Sequence, residues 1–188
     1  PACLWLPEED AGALPAYRSV YTGFGYALLE TGFADIPLHP DLALLLTTSG
    51  STGSPKFVRQ SYENIRDNTN SIVEYLRLTG SERAITTLPM NYTYGLSIIN
   101  THLDVGARLL LTDKSLFQRE FWDFFRAQEA TGFGGVPYTY EMLKRLRFFR
   151  MELPSLRSMT QAGGRLAPEL HRELAEYARD TGREFFVM

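Results

Sequence analysis

From Asp41 onward the sequence alternates between short apolar runs and longer amphipathic stretches, and this alternation limits the folds that the chain can adopt. The stretches carry apolar residues at helical spacing, whereas the runs are short and most are followed by Gly, Pro or small polar residues. Strands that alternate with helices through short connections predict an α/β fold, a mostly parallel sheet with helices on both faces. The runs predicted to be strands are 42–47, 84–88, 108–112, 131–136, 158–162 and 184–187, with a further short strand at 57–60.

Several helix ends carry specific signals. Ser61 has the position of an N-cap, and Ser115 with Gln118 has the spacing of a capping box. Pro168 and Gly182 have the positions of a first-turn proline and a C-terminal stop. The helix behind Ser115 is expected to bury an aromatic stripe made of Phe117, Phe121, Phe124 and Phe125.

Residues 1–40 have poor periodicity, and we interpret them as an incomplete N-terminal segment in front of an α/β subdomain of residues 41–188. Within this segment, residues 21–30 are predicted to be a helix. The chain begins at Pro1 and ends at Met188, directly after the last predicted strand. This pattern favours a fragment of a longer enzyme.

Charge and cysteine content narrow the function classes. The net charge of -3 gives no indication of a nucleic-acid surface. The chain has one cysteine, Cys3, which excludes an internal disulfide and a cysteine-based metal cluster. No apolar run is long enough to span a bilayer, and no signal-peptide pattern opens the chain. A cytoplasmic protein without nucleic-acid or membrane partners is expected.

The polar and glycine-rich segments follow predicted strands. They begin after Thr47, Leu88, Val136 and Ala162. Parallel sheets of this type bind ligands outside the carboxyl ends of their strands. We therefore expect these four loops to line one cleft.

The loop of residues 48–56 has the composition of a phosphate-binding loop. Its glycines permit close approach of backbone amides to an anion, its hydroxyls add donors, and its lysine supplies a positive charge. Pro55 stands directly before the lysine, so the loop does not fit the Walker A pattern and argues against an unrelated P-loop phosphotransferase. The candidate phosphate-binding residues are Thr48, Ser49, Gly50, Ser51, Thr52, Gly53, Ser54 and Lys56.

This loop closely resembles the signature loop of the adenylate-forming superfamily, which includes acyl-CoA synthetases, adenylation domains of peptide synthetases and beetle luciferases. Ser61 and Asn64 resemble the segment that follows the loop in that family, with Tyr62 in place of a histidine. Three later segments resemble the family in order and spacing: 88–95, with Tyr92 where histidine is common, 133–137 and 162–166. The resemblance begins near residue 41 and runs to the end of the chain.

The resemblance implies a fragment of the large N-terminal domain of an enzyme that uses ATP and Mg²⁺. A carboxylic acid substrate would be converted to an acyl-adenylate, and its acyl group would pass to coenzyme A or to the phosphopantetheine of an acyl carrier protein. Lys56 is implied as the catalytic residue, with Ser51 and Thr52 at the β- and γ-phosphates. The implied adenine-binding residues are Ala162, Gly163 and Gly164, and our candidates for the acid pocket are Tyr92, Gly95, Val136 and Tyr138.

Family members place a Tyr-Gly-x-Thr-Glu segment after the strand that here ends at Met188, and its glutamate helps to hold Mg²⁺. We therefore assign no metal ligand to this chain and expect the fragment to be inactive. The alternative function is a non-catalytic nucleotide-binding or assembly module with the same fold. Taken singly, Tyr92 and Tyr94 also fit packed aromatics, and Gly163 with Gly164 also fits a plain strand-to-helix turn.

Overall fold

The computed structural model describes residues 3–33, 37–47 and 57–188 of the chain. The chain divides into two compact units, Pro1–Leu42 and Ala43–Met188. Each unit has hydrogen-bonded strands of its own, and the two are described separately.

The first unit is a three-stranded antiparallel sheet with a short helix. Its elements are β1 (Cys3–Pro7), α1 (Glu8–Ala11), β2 (Arg18–Gly23) and β3 (Tyr26–Glu30), and its strand order is β1-β3-β2. The helix predicted for residues 21–30 is wrong, because the chain reverses at Phe24 and Gly25, whose φ angles are 57° and 77°. Two consecutive left-handed residues are typical of a tight type I′ hairpin turn.

The second unit is an α/β layer structure, as the sequence predicts. A five-stranded sheet has the order β10-β9-β8-β6-β7, and every pair in it is parallel. The elements in chain order are β4 (Leu42–Thr47), which starts at the unit boundary, β5 (Phe57–Ser61), α2 (Tyr62–Leu76), β6 (Arg83–Ile85), α3 (Thr93–Asp104), β7 (Arg108–Leu110), α4 (Arg119–Ala127), β8 (Gly132–Gly135), α5 (Pro137–Arg145), a 3₁₀ turn (Phe148–Arg150), β9 (Ser158–Gln161), α6 (Pro168–Thr181) and β10 (Glu184–Val187).

The apolar run 42–47 forms a strand, but the prediction that it is buried is wrong. β4 pairs with β5 in a separate two-stranded sheet rather than joining the five-stranded sheet. Its residues are half-buried or exposed, and Leu45 is 50% exposed. A short apolar run indicates a strand, but it carries no information about which sheet the strand joins.

The helix-end signals are mostly confirmed. Ser61 caps α2 in a complete capping box, in which the Asn64 amide donates to Ser61 Oγ at 3.0 Å and the Ser61 amide donates to Asn64 Oδ1 at 3.2 Å. Gly182 ends α6 with a φ of 68°. Before α4, the Ser115 amide donates to Gln118 Oε1 at 2.8 Å, but the helix begins only at Arg119.

One face of the five-stranded sheet carries an aromatic core. Strand residues whose side chains point to this face, among them Ile85, Phe133 and Met159, pack with side chains of α4, α5 and α6. Phe121 and Phe125 are fully buried here, as the sequence predicts. The prediction that Phe117 is buried is wrong, because Phe117 precedes α4 in the chain and is 45% exposed.

On the opposite face of the sheet, β8 and β9 carry small residues, whereas β10 carries Phe186. Gly132 pairs with Ser158 and Gly134 pairs with Thr160 in neighbouring strands. The helices α2 and α3 cover this face. The parallel sheet therefore has helices on both sides. Among the described residues, none of the helices is both long and apolar enough to cross a membrane.

Candidate functional site

Three loops meet at the carboxyl edge of the five-stranded sheet, after β6, β8 and β9. Gly163, which follows β9, shows how close they are: a Cβ atom built on it would lie 2.5 Å from the Tyr92 hydroxyl oxygen and 3.1 Å from Val136 Cγ1. Three of the four loops that we expected to converge therefore do so. The fourth, after Thr47, is the loop 48–56, and it lies outside the described residues.

Gly163 and Gly164 form a turn that only glycine adopts readily. Their φ angles are 80° and 147°, which are disfavoured for residues with a Cβ atom. The Ala162 amide donates to the Gly135 carbonyl at 3.3 Å, which ties the start of the turn to β8. Gly163 and Gly164 are both exposed, and no side chain of their own covers their backbone.

A glutamine at the end of β9 supports this turn. Gln161 is fully buried, and its Nε2 donates to the Gly164 carbonyl at 2.9 Å. Its Oε1 is buried without a hydrogen-bond partner among the described residues. The sequence analysis did not identify Gln161. The signal in the sequence that could have identified Gln161 is its polar side chain two positions after Met159, on the same side of a buried strand.

The loop before α3 contributes two tyrosines with different environments. Tyr92 is at the N-cap of α3 and is partly exposed, next to the glycine turn. Tyr94 is 8% exposed, and its hydroxyl forms a hydrogen bond with the Thr160 hydroxyl at 2.6 Å. Burial raises the pKa of Tyr94 to about 12, although the hydrogen bond with Thr160 acts in the opposite direction. Tyr94 is thus a neutral hydrogen-bonding group at physiological pH.

Beneath Tyr94 lies a narrow cavity of about 40 Å³ between the small-residue face of the sheet and the helices α2 and α3. Gly134 and Thr160 line it from the sheet, and Ile98 and His102 line it from α3. Burial lowers the pKa of His102, which favours its uncharged form. The described residues that line the cavity are therefore mostly apolar, with hydroxyl groups such as those of Tyr94, Ser97 and Thr160 and the imidazole of His102.

The four residues predicted for the acid pocket occupy three different positions. Tyr92 and Val136 flank the glycine turn. Gly95 is buried in the first turn of α3, where an added Cβ would overlap the Pro89 carbonyl oxygen. Tyr138 is 61% exposed and faces a separate cleft that Lys114 and Phe117 also line. The structure therefore groups Tyr92 with Val136 and separates Tyr138 from the cavity.

The predicted phosphate-binding loop joins the two strands of the small sheet, β4 and β5. All of its candidate residues, Thr48 to Ser54 and Lys56, lie outside the described residues. Their assignment to ATP phosphates stays a prediction.

Metal-ligating side chains do not cluster in the described part of the chain, where no group of three or more His, Cys, Asp or Glu side chains is arranged to hold an ion. The glycine turn is exposed at the carboxyl edge of the sheet, whereas the unpartnered Gln161 Oε1 is buried.

Comparison with known proteins gives a consistent result. The family model of the AMP-binding enzymes matches residues 10–185. Among curated proteins, the oxalate–CoA ligase of Arabidopsis thaliana is 29% identical over 143 residues, which cover 73% of this chain and 28% of that ligase. The L-proline–[L-prolyl-carrier protein] ligase of Pseudomonas fluorescens is 33% identical over 148 residues, which cover 72% of this chain and 30% of that ligase.

Among solved structures, the chain is similar to O-succinylbenzoate coenzyme A synthetase from Bacillus subtilis in complex with ATP and magnesium ion. The TM-score is 0.62 at 25% identity, and the match covers 77% of this chain and 30% of that one. The chain thus spans less than a third of the length of each of these three relatives.

Proposed function

The chain belongs to the family of AMP-binding enzymes, and from this premise we propose that it forms the nucleotide- and acid-binding part of an ATP-dependent ligase that joins a carboxylic acid to a thiol. The observation that carries this proposal is the bare turn of Gly163 and Gly164, which lies against Tyr92 and Val136 at the carboxyl edge of a parallel sheet. Ligands bind at this edge in open α/β sheets.

The phosphate end of ATP is assigned to the loop 48–56. In the proposed reaction, which uses ATP with Mg²⁺, the carboxylate attacks the α-phosphorus of ATP, which forms an acyl-adenylate and releases pyrophosphate. The thiol then takes the acyl group and releases AMP. Backbone amides, hydroxyls and Lys56 stabilise the negative charge on the phosphates, so that the loop acts by positioning and electrostatics. Ser51 and Thr52 are proposed to contact the β- and γ-phosphates.

The adenine end of ATP is assigned to Ala162, Gly163 and Gly164. This proposal is supported by the exposure of Gly163 and Gly164 and by their positive φ angles, which favour glycine and so leave the turn without side chains. It is also supported by the hydrogen bond from the Ala162 amide to Gly135, which fixes the turn relative to β8.

The acid is assigned to the space near Tyr92 and Val136 and to the cavity beneath Tyr94. The cavity lining is apolar with hydroxyl groups from Tyr94 and Thr160, so the proposed substrate is a carboxylic acid with an apolar body. Gly95 is proposed to act indirectly. Because it has no side chain, the backbone of residues 88–89 can lie against α3. The assignment of Tyr138 stays a prediction.

The thiol acceptor is proposed to be coenzyme A or a carrier-protein phosphopantetheine. Of the curated relatives named above, the Arabidopsis thaliana protein is a CoA ligase and the Pseudomonas fluorescens protein is a carrier-protein ligase. Both acceptors therefore occur among proteins similar to this chain. A cytoplasmic location stays a prediction.

The proposal is tested by isotope exchange from pyrophosphate into ATP with the full-length protein and a panel of aryl, short-chain and amino acids. We expect exchange that depends on one class of acid. Lys56→Ala should lower it roughly a hundredfold, because the lysine stabilises charge that develops in the reaction. The matched control is Lys144→Ala, a surface lysine of α5 that forms an ion pair with Glu173.

The 188-residue chain by itself is proposed to lack turnover, since it spans less than a third of each relative. Exchange by this chain well above its Lys56→Ala variant would refute that part of the proposal. If the full-length protein binds ATP but exchanges no pyrophosphate with any acid, the non-catalytic module is the correct function instead.

A further inference from the structure

Gln161 has an unusual position for an amide side chain. It lies at the end of β9, on the same side of the sheet as the buried Met159, and none of its surface is exposed. Of its two polar atoms, Nε2 donates to the Gly164 carbonyl at 2.9 Å. Oε1 is buried without a partner among the described residues.

This arrangement is unfavourable for stability alone. A buried polar atom without a hydrogen bond costs free energy, whereas an apolar side chain of the same length has no such penalty. The neighbouring positions of the aromatic core are filled by apolar residues, including Met159 and Phe133. Packing therefore gives no reason for a glutamine at position 161.

The hydrogen bond to Gly164 does explain why position 161 is a glutamine. Two consecutive glycines have more backbone conformations available than any other pair of residues, so a turn made from them loses more entropy when it is ordered. Within the described part of the chain, Gln161 provides the side-chain hydrogen bond recorded at the Gly163–Gly164 turn. It fixes the carbonyl of the residue with the less common φ of 147°.

We propose that Gln161 is a positioning residue, which holds the Gly163–Gly164 turn in the conformation that accepts the nucleotide base. Gln161 acts through the turn and does not itself contact the nucleotide. The inference rests on the proposed function, because it assumes that the turn binds adenine. The free-energy cost of burying Gln161 Oε1 without a partner is then balanced by a smaller loss of entropy when the ordered turn binds the nucleotide.

The decisive variant is Gln161→Met, which keeps the length of the side chain and removes both polar atoms. We expect the midpoint of thermal unfolding to be unchanged or higher, because the unpartnered Oε1 is gone. We expect the dissociation constant for ATP, measured by titration calorimetry with the full-length protein, to rise about three- to tenfold. Amide hydrogen exchange at residues 163 and 164 should become faster. Gln128→Met, at an exposed glutamine after α4, is the matched control and should change none of these quantities.

A purely structural glutamine predicts the opposite pattern, in which Gln161→Met lowers the unfolding midpoint and leaves ATP affinity unchanged. That result would overturn the inference. If Gln161→Met does not fold, Gln161→Asn replaces it, because its shorter amide does not reach the Gly164 carbonyl. Wild-type ATP affinity by Gln161→Asn would likewise overturn the inference. An unmutated protein that binds no ATP contradicts the proposed function itself, which separates the two failures.

Discussion

The two faces of the five-stranded sheet differ in what their side chains do. On one face, Phe133 of β8 packs with Phe121 and Phe125 of α4 and with side chains of α5 and α6 in a closed aromatic core. On the other face, Gly134 lets Ile98 and the Tyr94 hydroxyl of α3 lie close to the sheet, and a narrow cavity remains between the sheet and the helices α2 and α3. The same strands supply both faces, because successive side chains of a strand point to opposite sides.

This difference indicates a division of tasks between the faces. A closed core of large side chains contributes most of the stabilising apolar burial. On the other face, the glycines and small hydroxyl residues of β8 and β9 bury less apolar area, and the cavity beside them is the space that we propose for a ligand. Substitutions on the aromatic face should therefore change stability, and substitutions on the cavity face should change ligand preference.

The largest effect is expected for Phe121→Ala. Phe121 is fully buried, and its ring centroid lies 5.1 Å from that of Trp122. Its loss should lower the free energy of unfolding by about 3–5 kcal/mol, as measured by urea denaturation. Phe117→Ala, at a half-exposed position in the preceding turn, is the control and should cost less than about 1 kcal/mol. Equal costs for the two variants would contradict the burial of this face.

Gly134→Ala should alter the cavity face. An added Cβ would lie 2.7 Å from Ile98 Cδ1 and 2.9 Å from the Tyr94 hydroxyl oxygen, so these side chains must shift. We expect a stability loss of about 1–3 kcal/mol. We also expect weaker activation of the larger acids relative to the smaller ones, measured by pyrophosphate exchange with the full-length protein.

The control for Gly134→Ala is Gly12→Ala, where an added Cβ meets no atom within 4 Å and φ is -63°. This variant should leave the order of acid preference unchanged. An unchanged preference in Gly134→Ala would show that the cavity does not hold the acid.

Tyr94→Phe should affect the cavity face through its hydroxyl. It removes the hydrogen bond with Thr160, and we expect a loss of about 1 kcal/mol at neutral pH. The folded-state pKa of Tyr94 is raised to about 12, so its contribution to stability is fully present below pH 10 and is lost between pH 10 and about 12.

The wild-type protein should therefore lose about 1 kcal/mol more than Tyr94→Phe when the pH rises from 9 to 11. Denaturation in urea at several pH values measures this difference. The buried Tyr140 is present in both proteins, so its own raised pKa cancels in the comparison. Identical alkaline profiles would show that Tyr94 is accessible to hydroxide in the folded state.

The smallest effect is expected for His102→Leu at the inner end of the cavity. Burial lowers the folded-state pKa of His102, although Glu82 partly opposes this. The unfolded state then binds the proton more readily, so the stability contribution of His102 is present above about pH 6.5 and is lost as the pH falls. His102→Leu should therefore lose less stability than wild type between pH 7 and 5, as measured by urea denaturation at several pH values.

Much of the second unit was predictable because its signals are local. The strand-like runs, the Ser61 cap and the Gly182 stop each depend on residues that are close in sequence, and the structure confirms them. The hairpin of β2 and β3 was mistaken for a helix because the turn signal rests on Phe24, an unusual residue for a left-handed conformation.

The candidate site was only partly predictable. The glycine turn, Tyr92 and Val136 were identified by resemblance, and the structure places them together. The same reasoning grouped Tyr138 with them and left Tyr94 among the packed aromatics. Both tyrosines lie within the first two residues of a helix, and a helix turns by about 100° per residue. Because α3 and α5 cover opposite faces of the sheet, the side chains of Tyr94 and Tyr138 face different clefts.

Periodicity and residue types at short spacing were enough to predict the α/β class and the loops after β6, β8 and β9, whereas the phosphate chemistry of the loop 48–56 stays a prediction. Only the tertiary structure decided that β4 joins a separate sheet, that Tyr94 meets Thr160 and that Gln161 supports the glycine turn. Tyr94 and Thr160 are 66 positions apart in the chain. Pairing between distant segments depends on how whole elements pack, and local spacing carries no record of that packing.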